Sequence, residues 1–99
     1  MNEDDPRRKK LKLRAWRRGF READLILGPF ADKHVPDFTE AELDWFEALL
    51  NVPDQDLYGW ILEREATPAE FDGPLMQTLK AFRDEAYKGG PYGKGLGHG

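Results

Sequence analysis

The chain has 99 residues, no cysteine, two histidines and a formal net charge of −4. That length allows one small domain, and the lack of cysteine excludes disulfides, thiolate metal sites and thiol nucleophiles. No stretch approaches the roughly 20 apolar residues that cross a bilayer, so no membrane insertion is expected.

The opening Met1-Asn2-Glu3-Asp4-Asp5-Pro6 carries acids that a mitochondrial presequence avoids. It also lacks the apolar run of a secretory signal, and so predicts a cytoplasmic protein. Residues 1–6 are expected to be flexible. Residues 1–21 then hold nine Lys or Arg against three acids, net +6, whereas residues 22–99 hold six against sixteen, net −10. This asymmetry fits either a charged partner for the front of the molecule or a solvated basic arm.

Residues 7–18 predict a short basic helix, with Leu13, Trp16 and Phe20 in one row and Leu11 and Ala15 beside them. Gly19 is placed to stop it, because a residue without a Cβ enters the left-handed region cheaply. A second helix over residues 20–33 buries Ala23, Ile26, Leu27, Phe30 and Ala31 at helical spacing, and Glu22 and Asp24 suit its positive N-terminal end. Gly28-Pro29 is expected to interrupt and kink it. His34 suits its C-terminal end, and no second imidazole nearby makes His34 a ligand. Val35-Pro36-Asp37-Phe38 is a connector.

Thr39-Glu40-Ala41-Glu42 has capping-box spacing and opens a third helix whose core stripe is Leu43, Phe46, Leu49 and Leu50, with Trp45 at its flank. Asn51-Val52-Pro53 stops it. Asp54 is expected to cap a short fourth helix carrying Leu57, Tyr58, Trp60, Ile61 and Leu62, with Asp56 in its first turn. Thr67-Pro68-Ala69-Glu70 signals a single turn. The last helix, over residues 74–87, carries Leu75, Leu79, Phe82 and Ala86 on one face. Trp16, Trp45 and Trp60 belong to apolar stripes and read as core or core-edge residues. The segment from Lys88 holds six of the ten glycines and is expected to stay flexible. The fold class is therefore all-α: a small five-helix bundle over residues 1–87, with a basic N-terminal arm and a disordered glycine-rich tail over 88–99.

Three features then stand in order: Arg18-Gly19-x-x-Glu22, extended by Arg17 and Asp24; Leu25-Ile26-Leu27-Gly28-Pro29-Phe30; and Asp54-x-Asp56-Leu57-Tyr58-x-Trp60-Ile61. Together, over residues 14–87, they resemble the SdhE family, whose first signature is an RGxxE motif. That resemblance implies a non-enzymatic assembly factor for the flavoprotein subunit of succinate dehydrogenase or fumarate reductase. Such a factor promotes covalent attachment of FAD to a histidine of its client. It further implies that Arg17, Arg18, Gly19, Glu22 and Asp24 form the partner-binding corner: Arg18 as a hydrogen-bond donor, Gly19 as a point of close approach, Glu22 as a polar contact. FAD would belong to the client, and the chain shows no glycine-rich dinucleotide loop of its own. Gly28 before Pro29 and the glycine-rich tail depart from the family pattern without touching the motif.

Taken as geometry alone, Gly19 is a helix-capping glycine and Glu22 a first-turn acid, and neither needs a partner. A generic helical adaptor is the alternative function. A nucleic-acid module fits less well, because the second helix lacks the Arg, Lys, Asn or Gln that would read base edges. An independent flavin transferase would need a nucleophile, base or metal set that the residues do not supply.

Overall fold

The computed structural model describes residues 5–87. They form five α-helices: α1 (Pro6–Trp16), α2 (Arg21–His34), α3 (Glu40–Leu50), α4 (Asp54–Ile61) and α5 (Pro74–Tyr87), with a 3₁₀ turn at Val35–Asp37. There is no strand among the described residues. The all-α architecture read from helical spacing is the one observed. Residues 1–4 and the glycine-rich segment 88–99 lie outside the described residues, and so do the expectations placed on them.

Asp5 and Pro6, expected within a flexible opening, are instead the start of α1. Pro6 occupies the first turn, where its missing N–H costs nothing, and Asp5 Oδ1 accepts the Arg7 N–H at 2.9 Å. The inward row of α1 is Arg8, Leu11 and Ala15, all buried. This corrects the expected row: Leu13 is 52% exposed, because the helix presents residues three and four apart to the core and Leu13 falls opposite them. Arg8 is a buried cation in a run that read as solvated. Its Nε donates to the Val35 carbonyl at 3.2 Å, its NH2 to the Phe38 carbonyl, and its NH1 to Asp5 Oδ2 at 2.8 Å. It thereby ties α1 to the 3₁₀ turn that follows α2, sharing the Val35 carbonyl with the Phe38 N–H at 3.1 Å.

α2 runs unbroken through Pro29, a second correction. Proline removes one ladder bond, and the buried neighbours Ile26, Leu27 and Phe30 keep the helix in place across the gap. Gly28 is required by packing. A Cβ there would lie 2.3–2.6 Å from ring carbons of Trp16, whose indole crosses α2 at that point. The same indole donates Nε1–H to Asp32 Oδ2 at 3.2 Å.

The capping box of α3 forms as expected: Glu42 N–H donates to Thr39 Oγ1 at 3.2 Å, and Thr39 N–H to Glu42 Oε1 at 2.8 Å. Trp45 is half-buried and donates to the Phe71 carbonyl at 3.2 Å. At α4 the expected cap is displaced by one residue: Pro53 holds the cap position and Asp54 is the first helical residue. The helix ends without glycine, with Glu63 at φ +62°. Arg83 of α5 donates to Glu63 Oε1 at 3.2 Å and to the Ile61 carbonyl at 2.8 Å, closing the open end of α4. Residues 68–72 make the single turn expected there, with the Phe71 N–H on the Pro68 carbonyl at 2.9 Å. α5 buries Met76 and Leu79, while Leu75 and Phe82 are partly buried. Phe30 is the centre of the core, 5.5–6.0 Å from the rings of Phe38, Phe46 and Phe82.

Candidate functional site

The corner between α1 and α2 is built from both sides. α1 ends at Trp16 and Arg17 is its cap, donating N–H to the Arg14 carbonyl at 3.2 Å. Gly19 follows two residues later at φ +91°, a backbone conformation that glycine alone adopts without strain. A Cβ at Gly19 would meet nothing within 4 Å. The left-handed glycine expected from sequence is present, but it makes the turn itself and does not directly cap the helix. Phe20 then precedes α2 and packs edge-on against Tyr58 of α4, with ring centroids 4.8 Å apart.

The five residues singled out by the motif take different positions. Arg18 turns inward: its side chain is 8% exposed. Its Nε donates to Asp54 Oδ1 at 2.7 Å, NH1 to the Leu50 carbonyl at 2.6 Å and NH2 to the Val52 carbonyl at 2.5 Å. The guanidinium thus ties the corner to the connection between α3 and α4, and its donors are engaged within the chain. Asp24 also works inward, accepting the Arg18 backbone N–H at 3.1 Å. Burial pushes its carboxyl above the ordinary value, against the opposing pull of the Arg18 and Gly19 N–H groups. Arg17 and Glu22 are exposed, and no side chain among the described residues pairs with either. Gly19 lies between them with its backbone uncovered.

Sequence reasoning missed Asp54 as the partner of Arg18. No local signal marks the pair, because 36 residues separate them. The consequence is spatial: Arg18 meets Asp54 and Phe20 meets Tyr58, so the RGxxE run and the Asp54-x-Asp56-Leu57-Tyr58 run form one surface region. Beside it lies a groove of about 410 Å³, walled by Arg14, Arg17 and Arg18 on one side and residues 50–54 on the other. Among the described residues no group of three or more His, Cys, Asp or Glu is placed to hold a metal ion. No helix among them is long and apolar enough to cross a membrane.

Residues 9–83 match the protein family described as the flavinator of succinate dehydrogenase. The chain is 35% identical over 80 residues to a Dictyostelium discoideum protein named succinate dehydrogenase assembly factor 2, mitochondrial. That match covers 81% of this chain and 57% of the relative. Proteins of the same name from Scheffersomyces stipitis and Candida glabrata are 37% and 41% identical over 81 residues. Each match covers 81% of this chain, and 54% and 53% of the relative respectively. The chain therefore spans little more than half the length of these relatives. No solved structure matches it. The relatives also correct the cytoplasmic placement expected from the acidic opening, since all three are named mitochondrial proteins. The composition of a few opening residues bears on those residues alone and was too narrow a basis for a compartment.

Proposed function

The chain belongs to the flavinator of succinate dehydrogenase family, and we propose that it is an assembly factor for that enzyme's flavoprotein subunit. On this reading it binds the subunit and promotes covalent attachment of FAD to it. The observation that carries the reading is the family match over residues 9–83, which includes the whole α1–α2 corner.

The geometry of the corner supports a division of labour. Arg17, Gly19 and Glu22 face the partner. Arg18 and Asp24 are positioning residues that hold the turn from within, Arg18 through the α3–α4 connection and Asp24 through the Arg18 N–H. The uncovered backbone at Gly19 lets the partner approach closely, and Glu22 offers a carboxylate that the described residues leave available. FAD belongs to the client, and this chain contributes no reacting group. Its help is orientation: a partner held in the productive geometry reacts as though the reacting groups were highly concentrated, which lowers the barrier by several kcal/mol. The resemblance extends the same reading to the flavoprotein subunit of fumarate reductase as a second client.

The test is covalent flavin on the flavoprotein subunit, read as in-gel fluorescence in cells carrying wild type, Gly19→Arg or Glu22→Ala. Circular dichroism establishes that both variants fold. Each is expected to lower covalent flavin by about tenfold or more. Undiminished flavin in both variants, with loss on complete deletion, would move the interface off this corner. Undiminished flavin on deletion would end the assembly reading for that client.

A further inference from the structure

The groove beside the corner carries charge that contacts among the described residues do not balance. Three guanidiniums, Arg14, Arg17 and Arg18, share its lining with one carboxylate, Asp54. Asp54 is already paired with Arg18. Arg14 donates to Asn51 Oδ1 at 2.6 Å, a neutral acceptor that leaves its charge in place. Arg17 is exposed and meets no acid among the described residues. Other arginines of α1 are treated differently: Arg7 is met by Glu40, Asp44 and Glu47, and Arg8 by Asp5. The rest of the lining is aliphatic, from Leu50, Val52 and Pro53, with no aromatic ring on which a flavin or adenine could stack.

We propose that this groove receives a carboxylate side chain from an acidic segment of the flavoprotein partner, gripped by Arg14 and Arg17. The inference rests on the function proposed above and names a second contact for it. Guanidinium forks match carboxylate geometry and form strong, directional bonds to it. Charge complementarity selects an acid as the occupant. Continuity selects the partner, because Arg17 leads directly to Gly19 and a segment crossing the corner enters the groove.

The experiment measures binding of the full chain to the purified flavoprotein subunit at about 50 mM and about 300 mM salt. The variants are Arg14→Gln, Arg17→Gln and the double. A Lys9→Gln/Lys10→Gln chain, changed by the same charge on the outward face of α1, is the control. Melting curves verify the fold of each. The double variant is expected to bind about 30-fold more weakly at low salt, and the control within about threefold of wild type. A double variant within threefold of a wild type that binds overturns the groove assignment and the partner-facing role of Arg17 but leaves the assembly reading standing; a control that loses as much overturns the groove assignment. A wild type that fails to bind the subunit overturns the function reading and the groove with it. A parallel titration of the isolated chain with FAD tests the other anionic occupant. Binding that is lost in the double variant would assign the groove to a nucleotide diphosphate and overturn the acidic segment.

Discussion

Arg18 shows how a side chain can look like a ligand in the sequence and be a tie in the fold. It stands in a run of cations beside a glycine, which reads as an exposed corner. Its acceptors are 32 to 36 residues further on, at the Leu50 and Val52 carbonyls and at Asp54. The prediction is that Arg18→Lys destabilises the chain by about 2–3 kcal/mol, because an ammonium cannot serve all these acceptors and leaves carbonyls unpaired. The Asp54 side chain is 40% exposed, so the ion pair itself contributes little and the carbonyl bonds account for most of the loss. Urea unfolding measures it. A change under about 0.5 kcal/mol would mean that the charge, and not the fork, holds the corner.

Between elements, α1 and α2 approach at the point where Trp16 lies across Gly28. Gly28→Ala puts a methyl against the indole ring and is expected to cost about 1–3 kcal/mol, with a shift in tryptophan emission as the ring moves. An unchanged spectrum and unchanged stability would show that the indole relocates freely. The helices themselves were legible because their signals are local: Thr39 and Glu42 find each other three residues apart, and the stripe Leu43, Phe46, Leu49 faces one way. Arg8 was illegible because it serves carbonyls 27 and 30 residues away. Pro29 misled in the opposite direction, since a strong local breaker is outweighed by buried neighbours on both sides. The turn at Gly19 is legible from its residue types, but the inward direction of Arg18 follows from contacts 32 to 36 residues away that no spacing records.

Across the whole molecule, α2 and α5 are joined by an aromatic cluster that includes a titratable ring. His34 lies 5.2 Å from the Phe30 ring and 5.6 Å from the Phe82 ring. Burial holds its pKa below the ordinary value, with Lys33 acting in the same direction and Asp37 against it. The unfolded chain then binds the proton more readily. Stability is therefore full above the unfolded pKa and declines as pH falls through the folded one. Thermal melts should show a lower midpoint at about pH 5.5 than at about pH 7.5, and His34→Gln should flatten that difference. A slope unchanged in the variant would place the titration elsewhere. The cationic front of the molecule also divides at this scale. Arg7, Arg8 and Arg18 are paired with acids within the fold, so the outward-facing charge is smaller than the sequence count. The double hold on the corner, Arg18 from the α3–α4 connection and Asp24 from α2, has a kinetic meaning. On the function proposed above, a partner arriving at Gly19 would meet a turn that needs no ordering before contact, so little conformational entropy would be lost on association. Collisions in the right orientation can become complexes without waiting for a loop to rearrange.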